Sequence, residues 1–203
     1  LGSAWERWDS FWVGGTRRGA VFREFDAGLL VTRTAFDDGA GSPFLGESLL
    51  RLSSSGETWS GFLYRQEPGG LRSGAWRDGS GHGPDSLPSS GEYLLVARLA
   101  PSNLATAAFR RVDEADPAAP AAPAEVHRRA VETIDLPEGR SLRAERWEVV
   151  AGGLRVATWW SHDGRLVRGA AGGALTFAFT EAAALDGLAE PLRSFLHRGF
   201  GAD

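Results

Sequence analysis

The chain has 203 residues, 42% hydrophobic and 24% charged, with a formal net charge of −4. That composition fits a folded globular protein long enough to bury a core, and it excludes a disordered segment. No apolar run reaches the roughly 20 residues that a membrane-spanning helix needs. The mildly acidic balance also argues against nucleic acid as a partner, because neutralising phosphates takes clustered cations. Cysteine is absent, which removes disulfides, thiolate nucleophiles and cysteine metal sites. Lysine is absent too, so every basic residue counted is arginine, and Schiff-base and phosphate-loop lysines drop out. Single uses of isoleucine (Ile134) and asparagine (Asn103) match the codon usage of a high-GC genome. There is no methionine and the first residue is Leu1. A removed N-terminal segment is therefore expected, and an extracytoplasmic location is favoured.

In chain order, "ERWDSFWVGG" reads as an aromatic-rich strand broken by a glycine pair. "GAVFREFDAGLLVTRTAF" is two β-type runs joined at Asp26-Ala27-Gly28, a tight hairpin. "ESLLRLSSSGETWSGFLYRQ" is a second pair, turning near Ser54-Ser55-Gly56. Strict alternation would put Trp59, Gly61 and Leu63 on one face and Ser60, Phe62 and Tyr64 on the other. "RDGSGHGPDSLPSSG" is a loop by composition. "EYLLVARLA" reads as a helix capped by Ser89 or Ser90, with a buried strand as the rival. "SNLATAAFRRVDEA" is a strand. The Ala/Pro run at 116–125 has polyproline character. It either divides the chain into subdomains or is a long hairpin loop within one domain spanning 1–203.

The last third repeats the antiparallel theme in "SLRAERWEVVAGG", "LRVATWWSHDG", "RLVRGAAGG" and "ALTFAFTEA". In the last of these, Leu175, Phe177 and Phe179 share one face. "AEPLRSFLHRGFG" is a short C-terminal helix, with Pro191 in its first turn and Gly199 near its end. A faint echo links "GGTRRGAVFREFDAGLLVTR" to "GGLRVATWWSHDGRLVR". It reads either as a duplicated meander or as generic hairpin grammar.

Little here spells out chemistry. The four histidines form no HExxH, HxH or HxxxH pattern, and no nucleophile-elbow, P-loop or dinucleotide motif is present. His82, in the "GSGHGPDS" loop, is a candidate catalytic histidine or simply part of a solvated loop. His162-Asp163 reads as a hairpin turn with Asp163-Gly164 at its centre, because adjacent side chains on a strand point to opposite faces. No catalytic residue, metal ligand or cofactor is expected.

The aromatic residues carry more information. Eight tryptophans are present, and Trp159 and Trp160 must face opposite sides of one strand. Either both sides are core, or a curved sheet lines an apolar cavity on one of them. The stretch "ERWEVVAGGLRVATWWSHDGRLVRGAAGGALTFAFTE", after a meander and a mid-chain helix, resembles bacterial domains of the lipoprotein-localisation (LolA/LolB-like) type. A glycolipid-binding β-fold family is a second resemblance. The first implies a half-open β-barrel with helices at its mouth and an apolar cavity that carries acyl chains. The fold expected is mainly β, a curved antiparallel sheet or half-open barrel with one or two helices. The function expected is carriage of a lipid or other hydrophobic small molecule, with Trp59, Leu63, Trp147, Trp160, Phe177 and Phe179 lining the cavity. A structural or protein-interaction domain with a packed core is the alternative, and a hydrolase-type carboxylate/histidine site is the third.

Overall fold

The computed structural model describes residues 3–201 except Asp38 and Ala40. Short turns dictate the architecture. Asp163 (φ 50°) and Gly164 (φ 71°), like Ala27 (φ 46°) and Gly28 (φ 81°), take the left-handed conformation at both turn positions. That is the two-residue connection whose twist matches antiparallel strands. Such turns, with longer connections after β3, β4 and β5, build a first meander of β1 (Trp5–Val13), β2 (Thr16–Asp26), β3 (Leu29–Phe36), β4 (Phe44–Leu52), β5 (Trp59–Glu67) and β6 (Leu71–Trp76). After the short β7 (Ser86–Pro88) and helix α1 (Glu92–Leu99) comes a second meander. Its strands are β8 (Thr106–Val112), β9 (Ala122–Asp135), β10 (Ser141–Ala151), β11 (Leu154–His162), β12 (Arg165–Ala171) and β13 (Ala174–Phe179). Helices α2 (Glu181–Leu185) and α3 (Glu190–Arg198) finish the chain.

All strands join one 13-stranded sheet in the order β6-β5-β4-β3-β2-β1-β13-β12-β11-β10-β9-β8-β7. The two meanders meet where β1 pairs with β13, and the only parallel pairing among the described residues is β7 with β8. The sheet curls until its ends touch through side chains. Trp59 Nε1 of β5 donates to Ser86 Oγ of β7 at 3.1 Å, and the Ser73 hydroxyl of β6 donates to the Glu114 carbonyl. The buried Glu114 carboxylate then accepts from Ser48 Oγ, Ser89 Oγ, Ser90 N and Ser90 Oγ at 2.6–2.8 Å. The protein is thus mainly β, with a curved open sheet and short helices.

The two faces of the sheet are covered differently. The inner face packs α1 through Tyr93, Val96 and Leu99 against Phe109, Val126, Trp147, Val149 and Trp159. It continues through Trp5 and Leu94 into a second cluster around Phe25, Leu30, Leu50, Trp59 and Phe62. On the outer face, Leu192, Phe195 and Leu196 of α3 pack on Trp8, Ala20, Phe22 and Ala35. α1 therefore covers mainly strands of the second meander, and α3 strands of the first.

Several expectations change at this level. Strict alternation fails in β5, because Leu52 lies opposite Trp59 while Arg51 lies opposite Gly61. Ser60 is the extra residue of a β-bulge, and it returns Trp59 to the face of Phe62 and Tyr64. Ser89 and Ser90 do not cap α1, whose N-cap is Gly91 with no side-chain bond; both serines bind Glu114 instead. The strand ending "ALTFAF" stops at Phe179, because Thr180 caps α2 by accepting from Ala183 N at 3.3 Å. The loop reading of 116–125 gives way at Ala122, where β9 begins and pairs with Arg111. That run is the connection of a long hairpin. The echo equates β2–β3 with β11–β12, which occupy different places in their two meanders, so it is hairpin grammar.

Candidate functional site

The six residues expected to line one cavity fall on two faces. Trp59 and Trp147 are both inner and fully buried. Leu63 lies opposite Leu49 and Gly74 on the outer face and is 50% exposed. Its assignment to the cavity is corrected by the bulge at Ser60. Trp160, Phe177 and Phe179 are also outer, which corrects their grouping with Trp147. Phe179 joins the cluster under α2 and α3, and Phe177 meets Trp12 edge-on at 6.0 Å. Trp160 sits with Ile134 and Ala144. Its Nε1 donates to Glu132 Oε1 at 2.6 Å, and the Arg168 guanidinium lies 4.4 Å above its ring. Trp159, by contrast, turns inward and meets Tyr93 of α1 edge-on at 5.5 Å. The face of a strand is set by register, and register depends on bulges that no composition signal marks.

The inner face also holds charge that sequence reading missed. Trp5, Arg7 and Asp9 occupy every second position of β1 and so share its inner face, and the register of the β1–β2 hairpin sets Arg23 opposite Arg7. Arg7 Nη2 reaches Asp9 Oδ1 at 2.6 Å, and Arg23 Nη1 reaches Asp9 Oδ2 at 2.6 Å. Arg7 Nη1 further donates to the Leu166 carbonyl at 2.5 Å. Both guanidiniums lie over Tyr93, at 5.4 Å for Arg7 and 4.5 Å for Arg23. Burial lowers the pKa of Arg23 despite Asp9 and Tyr93. Burial opposes the Arg7 charge as well, but Asp9 and Tyr93 outweigh it and raise its pKa. Both remain cations, so two positive charges share one carboxylate whose side chain is fully buried.

Beside this cluster opens a cleft of about 610 Å³. It lies between α1, the starts of β1 and β12 and the end of β2, walled by Trp5, Phe25, Tyr93, Leu94 and Leu166 with Arg7 among them. Glu6, Arg98 and Arg165, all exposed, stand at the rim. The Asp163-Gly164 turn helps to form the cleft's edge. A Cβ on Gly164 would come within 3.1 Å of Pro101, so the turn packs close against the chain leaving α1. A smaller cleft of about 220 Å³ lies on the other flank of α1, near Leu52, Leu87, Leu94 and Phe109. The roomier trough between α2 and α3, about 710 Å³, is bordered by exposed Asp186, Glu190, Arg193 and His197, charges of both signs.

The histidines build no comparable site. His82 meets the Pro117 carbonyl at 3.0 Å and makes no ion pair among the described residues. His162 meets the Arg143 carbonyl at 2.8 Å and lies 3.5 Å from Asp163, with both side chains largely exposed. No group of three or more His, Asp or Glu positioned for a metal occurs among the described residues. No helix among them is long and apolar enough to cross a membrane.

No protein-family model matches the chain, and no curated protein matches it. Among solved structures it is similar to one described as the crystal structure of a beta-barrel-like protein of domain of unknown function DUF1849 from Brucella abortus. The TM-score is 0.53 at 7% identity, covering 86% of this chain and 95% of that one. At that identity the likeness speaks for the fold, a barrel-like curved sheet.

Proposed function

We propose that the protein binds a hydrophobic small molecule or lipid, without chemistry, in the cleft beside α1. The observation that carries this reading is the cleft itself: about 610 Å³, aromatic- and leucine-walled, with a few charged groups at fixed places. That is the size and make-up of a small-molecule pocket, where apolar burial supplies affinity and a few polar groups fix orientation. Of the cavity residues expected from sequence, Trp59 and Trp147 keep a role on the inner face, as fully buried supports rather than walls. The barrel-like likeness is compatible with this reading.

Native mass spectrometry of gently purified protein tests it. The expected result is a bound apolar molecule that is lost in Ala97→Trp, since Ala97 of α1 lines the cleft and an indole there would fill it. Protein that carries nothing and takes up no apolar probe would overturn the reading, as would an Ala97→Trp variant that binds unchanged.

One observation favours a second reading, a protein-interaction domain. Trp76 is 67% exposed and Leu63 50% exposed, close together on the outer face at the β6 end of the sheet. A terminal strand with apolar side chains is a natural place for another chain to dock. Loss of a co-purifying protein in Trp76→Ser, with the apolar cleft empty in both forms, would support it.

A further inference from the structure

Resting on the cleft reading above, we propose that the occupant is a single-chain fatty acid bound head-first. Its carboxylate is received by the Arg7 guanidinium in the cleft wall, with the buried Arg23 guanidinium behind it adding positive charge, and its chain lies along Trp5, Phe25, Leu94 and Leu166. Three observations lead there. First, the buried cluster is unbalanced: two arginines converge on Asp9, and no other carboxylate pairs with either among the described residues. An excess cation out of water is costly unless an anion joins it. Second, donors remain. Each guanidinium offers five N–H groups. Arg7 spends its bonds on Asp9 and Leu166, while Arg23 spends one on Asp9. Third, polar atoms around Arg23 stand unused. Thr32, directly opposite Arg23 across β2 and β3, has a buried hydroxyl without a partner. Trp159, whose ring faces Arg23 at 5.6 Å, has a buried indole N–H without one.

The charge pattern of the cleft agrees. Arg7, Arg98 and Arg165 border it against the single acid Glu6, although the chain as a whole carries −4. Arg98 donates to the Gly56 carbonyl, and among the described residues neither Arg98 nor Arg165 has a carboxylate partner. An anion is therefore drawn to the mouth and then held where desolvated guanidiniums bind it most strongly, since charge-assisted bonds gain in a low-dielectric site. A planar carboxylate matches the guanidinium fork, and a single chain suits a cleft in the size range of one small ligand.

The test compares laurate with dodecanol, which share a chain and differ in the anionic head, by quenching of tryptophan fluorescence below their aggregation limits. Laurate is expected to bind about tenfold more tightly or better. Arg7→Gln should erase that advantage while dodecanol still binds, Arg165→Gln at the rim should reduce it by less, and Arg193→Gln on α3, outside the cleft, should leave it in place. If Arg7→Gln fails to fold, the comparison on unaltered protein still decides. Equal affinity for both ligands would overturn the head-first carboxylate but leave the apolar cleft standing. Loss of the advantage in Arg165→Gln alone would move the head to the rim and overturn the proposal too. Uptake only from phosphatidylglycerol vesicles, with laurate unbound, would overturn the choice of a fatty acid. Binding of none of these would remove the cleft reading itself.

Discussion

Helices α1 and α3 are of similar length, and each lies on one face of the same sheet, yet they are seated in opposite ways. The seat of α3 is filled. Leu192, Phe195 and Leu196 are buried on Trp8 and Phe22, and Arg33 Nη1 ties down the last turn through the carbonyls of Leu196 at 3.1 Å and His197 at 2.7 Å. Arg33 is itself held by Glu47 at 2.8 Å. Gly199, at φ 65°, passes so close that a Cβ would fall 1.9 Å from Glu47 Oε1. The seat of α1 is not filled. Its buried side chains meet aromatic residues, but clefts open on both flanks and two arginines share one carboxylate beneath it. The trough that α3 borders with α2, about 710 Å³, is rimmed instead by exposed charges of both signs. On the proposed reading, the contrast assigns binding to α1 and stability to α3.

The largest expected effect comes from the core between α1 and the second meander. Trp147→Ala removes a fully buried indole and its 2.9 Å bond to Ser161 Oγ, and about 3–5 kcal/mol of stability should be lost in denaturant unfolding. Leu196→Ala should cost about 2–5 kcal/mol in the same measurement. Because it acts on the filled seat, ligand binding at α1 should remain; loss of binding together with stability would erase the contrast. Gly164→Ala forces a side chain into the left-handed region and against Pro101. About 1–2 kcal/mol is expected, with weaker binding of the cleft ligand because the turn borders it. The smallest effect lies in an ion-pair cluster on β10. On the outer face Glu148 is held below its ordinary carboxyl pKa, chiefly by the Arg129 hydrogen bond, with Arg146 and Arg155 adding to it against burial. A depressed folded-state pKa gives stability that is present above the ordinary value and lost as pH falls through the lowered one. Glu148→Gln should therefore cost about 0.2–1 kcal/mol near neutrality, and the gap between variant and wild type should close in acid.

Much of the fold was legible because its signals are local. Turns such as Asp163-Gly164 announce themselves by residue type, and "EYLLVARLA" and "EPLRSFLHR" carry helical spacing. The His162-Asp163 pair was readable as a turn for the same reason. The site was not legible, because it depends on faces, and faces depend on register. The β1–β2 hairpin shifts register between Phe11 and Trp12. Without that bulge, Arg7 would lie opposite Phe22 rather than Arg23, and the shared carboxylate would never form. Ser60 plays the same part in β5 and carries Leu63 away from Trp59. The need to cover both Trp159 and Trp160 was readable. The covers were not: Tyr93 of α1 inside, and Arg168 and Glu132 of the sheet itself outside.

Amide hydrogen exchange with and without laurate compares the two helices directly. A ligand seated beside α1 should slow exchange over 92–99 and at the turn around 162–166, while 190–198 exchanges as before. Protection confined to 190–198, or no change at either helix at a saturating ligand concentration, would contradict the assignment of function to the unfilled seat.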